Sequence, residues 1–167
     1  AIRDDRDTAI VYVHGGGWVF VNKDLVRPYL IFLPKNSRLR LFVMNYPLSP
    51  EKKFPAAIVS LLKLLQWVKK VHQVKKIVIM GDSAGANMAV MACLLLKNRD
   101  FMQELASCGE VKDDICSWDY PVITKICIFY GLLDEKSLFE SDSLLMQVCR
   151  LLVRVHRNRK VLRGKIT

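Results

Sequence analysis

Residues 77–90 read IVIMGDSAGANMAV, and their character changes in the middle. Ile77, Val78 and Ile79 are β-branched and suit a buried strand, whereas the alanines, methionines and leucines after Gly85 suit a helix. A strand that turns sharply into a helix through GDSAG has to bring its flanking backbone very close. Gly81 and Gly85 answer that need, because a side chain at either position would clash. Ser83 is then lifted above the sheet at the start of the helix, where free amides and the helix dipole favour negative charge.

Working outward, short apolar runs bounded by breakers predict four strands, at residues 9–13, 41–46, 76–80 and 125–130. Helical patterns fall between them. Residues 24–33 make a poor helix interrupted by Pro28. Residues 55–71 open on a proline suited to the first turn and carry Ile58, Leu61, Leu62, Leu65 and Val68 along one face. Residues 84–97 are apolar nearly all round and so are expected to be buried. Strands alternating with helices imply an α/β fold: three layers, α/β/α, with a mostly parallel sheet, and sites outside the carboxyl ends of the strands. Residues 98–121 are weakly patterned and read as a surface excursion.

The chain of 167 residues fits a single domain. No apolar run reaches the roughly 18 to 20 residues of a membrane span. Five cysteines, Cys93, Cys108, Cys116, Cys127 and Cys149, are odd in number and lack a C-x-x-C pair, so neither a disulfide framework nor a metal site is signalled. Reduced thiols suggest an intracellular protein, cytoplasmic or peripheral to an internal membrane. There is no initiator Met and no secretory or transit signal, and upstream residues are expected.

Net charge is +10, but Arg150, Arg154, Arg157, Arg159, Lys160, Arg163 and Lys165 supply seven of those charges without an acid among residues 150–167. The excess is therefore a property of the tail. No zinc-finger spacing or RNP-type motif accompanies it, so specific nucleic-acid recognition is not expected. Within the C-terminal segment, 143–167, an amphipathic helix is predicted with Leu144, Leu145, Val148, Leu151, Leu152 and Val155 on one arc and arginines on another. Such a helix either packs on the domain with a solvated basic face or docks on an anionic membrane, as a peripheral contact, or on an acidic partner.

GDSAG, in its strand-turn-helix context, fits the G-x-S-x-G pattern of a serine nucleophile. Five residues alone could also be a small-residue turn. A second motif changes that balance: HGGGW, residues 14–18, directly follows the strand AIVYV, and its triple glycine lets backbone amides approach a substrate oxygen. A phosphate loop is a poor reading, since neither G-x-x-x-x-G-K-[ST] nor G-x-G-x-x-G is present.

VYVHGGGWVF, NYPLSPEKKFPAA and GDSAGANMA together resemble the hormone-sensitive-lipase-like branch of the α/β-hydrolase fold, which includes arylacetamide-deacetylase-like carboxylesterases. The resemblance runs from about Thr8 to Cys93, with a fainter echo in ITKICIFYGLLD. It implies hydrolysis of small-molecule esters, with no cofactor or metal, through an acyl-enzyme on Ser83. The oxyanion hole would come from Gly16, Gly17 and Ala84, with Gly15 shaping the loop. His14 would belong to the oxyanion loop rather than act as the base, and Tyr46 and the nearby prolines would fix the adjoining loop. Two positions depart from the family: Ala86 stands where another glycine is frequent, and Ser60 where an acid is.

Acyl transfer through a serine needs a general base, usually a histidine held by a carboxylate. His14 is committed to its loop. His72 precedes the strand 76–80, which puts it at the opposite sheet edge from Ser83, since each strand residue advances roughly 3.3 Å. His156 lies among arginines that disfavour its protonated form. Asp134 closes ICIFYGLLD but makes an unconvincing triad acid. The expectation is a partial α/β-hydrolase fold, truncated at its C-terminus, that lacks the triad Asp and His. The alternatives are an inactive relative that binds a ligand or partner, and a truncated product.

Overall fold

A computed structural model describes residues 6–131 and residue 133. The predicted basic helix of 143–167, with Asp134, Cys149 and His156, lies outside the described residues. Four strands, β1 (Thr8–Val13), β2 (Arg40–Val43), β3 (Lys76–Asp82) and β4 (Val122–Phe129), form one sheet in the order β2-β1-β3-β4. Every pairing is parallel, so each connection must cross over a face of the sheet.

The first crossover, from β1 to β2, uses α1 (Lys23–Leu30) and α2 (Phe32–Ser37). The chain then returns past β1 through α3 (Ala56–His72) to β3, and continues through α4 (Ala84–Lys97) and α5 (Arg99–Ala106) to β4. Right-handed crossovers made in opposite directions place α1 and α2 on one face and α3 and α4 on the other, giving the three expected layers. Strand order reverses between β1 and β3. Loops leaving adjacent strands diverge at such a point and open a crevice above their carboxyl ends.

The core is the apolar filling between sheet and helices. Ala9, Val11 and Val13 of β1 and Ile77 and Ile79 of β3 are fully buried, as are Leu61, Leu62, Leu65 and Val68 on the inward face of α3. Helix α4 packs on β1, β3 and β4. Small residues, Ala84, Ala86, Ala89 and Ala92, line its buried side and bring its backbone close to the sheet. Burial is not complete all round, however: Leu94 faces outward.

Three expectations are corrected. The strand predicted over 41–46 ends at Val43, because Asn45 turns to accept a hydrogen bond from the Lys23 amide (2.6 Å) and Tyr46 turns inward to bond the loop after β1. Pro28 does not interrupt the first helix. It lies within α1, and the break comes at Ile31. The segment 98–121 is more than a surface excursion. Asn98 caps α5 by accepting from the amides of Asp100 and Phe101, Met102 and Leu105 join the core, and Ile115 is 0% exposed.

Candidate active site

Register fixes the meeting of the two glycine motifs. Val13 at the end of β1 is paired with Gly81 near the end of β3, so the loops that follow both emerge at the same sheet edge. Their contact is tight. A Cβ on Gly85 would lie 2.1 Å from the Val13 carbonyl oxygen, and one on Gly81 would lie 2.5 Å from the Gly85 carbonyl oxygen. Neither neighbour is a flexible side chain, so only glycine fits, as the sequence implied.

Ser83 occupies the turn with φ 48° and ψ −118°. A non-glycine residue in this conformation is strained, and the strain persists because the surroundings over-determine it. On one side the Ser83 amide donates to the Phe129 carbonyl of β4 (2.9 Å). On the other, its carbonyl accepts from the Asn87 amide (3.2 Å) within the first turn of α4. Its hydroxyl makes no capping bond. The serine is half-buried, and the Ala84 amide beside it is among the four N–H groups that a helix start leaves without an intrahelical partner.

Facing Ser83 is the loop of residues 14–18. A Cβ on Gly15 would come within 3.1 Å of the Ser83 Cβ and 2.3 Å of Asp82 Oδ2. The loop is pinned peptide by peptide. The Gly15 amide donates to Asp82 Oδ1 (3.0 Å). The Gly15 carbonyl accepts from the Tyr46 hydroxyl (3.0 Å) and from His14 Nδ1 (2.8 Å). Because a trans peptide directs N–H opposite to C=O, the Gly16 amide points away from Tyr46 and the core. The Gly16 carbonyl in turn accepts from the amides of Val19 (3.1 Å) and Phe20 (2.8 Å), which directs the Gly17 amide outward from that turn. Positive φ angles of 106° at Gly16 and 61° at Gly17 permit the winding.

His14 is a structural member of this loop. It is 1% exposed and stacks on Tyr46 with ring centroids 4.3 Å apart. Since Nδ1 donates to a carbonyl, it carries the proton, and Nε2 is left as a buried acceptor without a partner. Burial lowers its pKa below the ordinary 6.5, opposed more weakly by the Gly15 carbonyl and the Asp82 charge. Tyr46 also bonds the His14 carbonyl (2.8 Å), and the Ser49 amide donates to the Trp18 carbonyl (2.8 Å), so the NYPLSP segment buttresses the glycine loop as expected.

His72 ends α3 and packs its ring against Phe42 and Trp67. The whole of β3 separates it from Ser83, roughly 20 Å at strand rise. Ala86 meets Gly131: a Cβ on Gly131 would lie 2.8 Å from the Ala86 methyl, so the glycine makes room for the methyl.

Reading the sequence missed Asp82 and its partners. Asp82 accepts from the Tyr12 hydroxyl (2.7 Å, to Oδ1) and the Tyr130 hydroxyl (3.3 Å, to Oδ2) in addition to the Gly15 amide. Burial first, and then the bond to Asp82, push the Tyr12 pKa up, so the phenol stays a donor. The only signal in the sequence was an acid directly before the serine. Nothing local marks Tyr12 or Tyr130 as its partners, because the sheet brings them together.

The sequence matches the alpha/beta hydrolase fold family over residues 10–148. It is 37% identical over 86 residues to the versiconal hemiacetal acetate esterase of Emericella nidulans, covering 52% of this chain and 30% of that protein. Against the versiconal hemiacetal acetate esterase of Aspergillus parasiticus, identity is 27% over 96 residues, covering 58% and 31%. The chain thus spans about a third of the length of these relatives. Among solved structures, it is similar to fungal esterases from Rhizomucor miehei, with a TM-score of 0.60, 29% identity and coverage of 83% of this chain and 40% of that one. Carboxyl esterase 2 from Tuber melanosporum shares the fold at a TM-score of 0.68 and 21% identity, over 89% of this chain and 47% of that one. With a parallel sheet whose order reverses at β1 and β3, a strained serine between two glycines and this family match over most of its length, the chain belongs to the alpha/beta hydrolase fold family.

Proposed function

We propose that this chain carries the nucleophile and the oxyanion-binding half of a serine carboxylic-ester hydrolase. Ser83 attacks the ester carbonyl as its hydroxyl proton passes to a general base that is not among the described residues, and the acyl-enzyme forms as the alcohol leaves with that proton. The amides of Gly16, Gly17 and Ala84 receive the charge that develops on the carbonyl oxygen, and the start of α4 adds its dipole. Gly15 is a shaping residue, since its own amide is already held by Asp82.

One observation carries this reading: a serine held at φ 48° directly against a loop with a Gly15-to-Ser83 approach too close for any side chain. A turn that served packing alone could relax into an unstrained conformation. Strain kept beside outward-facing amides is the arrangement an attacking hydroxyl requires. The esterase names of the relatives agree with it.

The test is a fluorophosphonate probe on the full-length product, because an unassisted serine hydroxyl is a weak nucleophile. Ser83 is the residue labelled, and Ser83→Ala removes both the label and any ester turnover. A well-folded sample that takes no label would sink the proposal.

A second reading has its own support. Among the described residues no histidine is placed to accept the Ser83 proton: His14 is buried with its Nδ1 on a carbonyl, and His72 is at the far edge. On that reading the pocket binds a small ligand or partner without turnover. Ester hydrolysis lost on Ser83→Ala would exclude it. Peripheral contact with an anionic membrane through the 143–167 segment is a further proposal, tested by vesicle sedimentation with and without that segment. No helix among the described residues is long and apolar enough to cross a membrane.

A further inference from the structure

Asp82 sits next to the candidate nucleophile, yet its carboxylate points at neither Ser83 nor a base. It joins three separate pieces of chain. Oδ1 takes the Tyr12 hydroxyl of β1 and the Gly15 amide of the glycine loop, and Oδ2 takes the Tyr130 hydroxyl that follows β4. Space is matched as well as polarity, since Oδ2 fills the place where a Gly15 side chain would be.

From this geometry we infer that Asp82 is a positioning residue for the oxyanion loop. This inference rests on the serine-hydrolase reading above. Fixing the Gly15 amide sets the first peptide plane of the loop. Tyr46 and His14 set the second through the Gly15 carbonyl, and the Val19 and Phe20 amides set the third through the Gly16 carbonyl. Without the first anchor, the Gly15 amide loses its acceptor, and the entry to the loop is held only through the Tyr46 hydroxyl, shared between the His14 and Gly15 carbonyls, so the peptide planes that follow can shift. The Gly16 and Gly17 amides then no longer converge on the oxygen above Ser83.

The role belongs to the acceptor atoms rather than to the charge. Asparagine in the same rotamer keeps Oδ1 for Tyr12 and Gly15, and its Nδ2 faces Tyr130, whose hydroxyl can accept as well as donate. Asp82→Asn is therefore the conservative variant, and Asp82→Ala the disruptive one.

The experiment measures fluorophosphonate labelling of Ser83 and resolves it into probe affinity and the rate of phosphonylation. The phosphoryl oxygen occupies the oxyanion position only as the bond forms, so loop placement governs the rate rather than the affinity. For Asp82→Ala the expected result is a fall of about 10²-fold in the phosphonylation rate, the scale of losing one oxyanion donor. Probe affinity should stay within about threefold, a margin under 1 kcal/mol. Asp82→Asn should label within about fivefold of the unaltered chain, and Tyr12→Phe should fall between the two.

If Asp82→Ala labels at the unaltered rate while Ser83→Ala is silent, the inference is overturned and the hydrolase reading stands. If the unaltered full-length product does not label, the hydrolase reading itself has failed. Should Asp82→Ala not fold, Asp82→Asn decides: a well-folded Asn variant that loses the rate shows that charge, not placement, was at work, which also overturns the inference.

Discussion

At the scale of single residues, conformation and protonation are set by what surrounds a group. His14 is an ordinary imidazole made neutral by burial, with one nitrogen on the Gly15 carbonyl and the other facing no partner. Its folded-state pKa lies below 6.5, chiefly through desolvation. Above pH 6.5 both folded and unfolded chains hold it neutral, and no stability is lost. As pH falls through 6.5, the unfolded chain takes up the proton first, so stability declines until the lower folded pKa is passed. Urea unfolding should therefore show a falling midpoint from pH 7 towards pH 5, with a shallower fall in His14→Gln. Equal slopes in the two proteins would show that His14 does not titrate in this way. The same residue illustrates what local sequence conceals: HGGG marks His14 as part of the loop, but its stack on Tyr46 depends on a residue 32 positions away.

At the scale of elements, strong periodicity was a reliable guide and weak patterning was not. Helix α4 begins and ends where its composition indicated, and the inward face of α3 is the one its spacing named. The stretch after α4 misled because its apolar residues are few and widely separated. Met102 and Leu105 lie one turn apart on a short helix, and Ile115 stands alone in a polar neighbourhood. Met102 and Leu105 are buried where α5 packs on α4, and Ile115 joins the same core, which no local window contains. Ile115→Ala should cost about 2–5 kcal/mol by chemical denaturation, the range for emptying a closed apolar site. A change below 0.5 kcal/mol would mean that the segment is the surface excursion its pattern suggested.

At the scale of the whole molecule, the sheet is covered unevenly. β1 is central and buried and β3 beside it buries alternate residues, whereas β4 pairs with β3 on one side and, among the described residues, with no strand on the other. Ile126 and Ile128, two apart and so on the same face, are 42% and 40% exposed, and Tyr130 beyond them is 79% exposed. Contiguous apolar surface of this kind binds hydrophobic dyes and promotes association. Placing lysine at both positions, Ile126→Lys with Ile128→Lys, should reduce ANS fluorescence and concentration-dependent association while shifting the thermal midpoint by no more than a few degrees. Cooperative unfolding lost in that variant would show that the two side chains are core. The sequence by itself determined the alternation of strands and helices, the two glycine motifs and the steric need for Gly81, because each follows from near neighbours, whereas the need for Gly85 also comes from the Val13 carbonyl on the neighbouring strand. Only the tertiary structure decided which strands are adjacent, and with them the clasp of Tyr12, Gly15 and Tyr130 on Asp82. Those contacts join residues 48 to 70 positions apart, and no local preference specifies the register that brings them within a hydrogen bond.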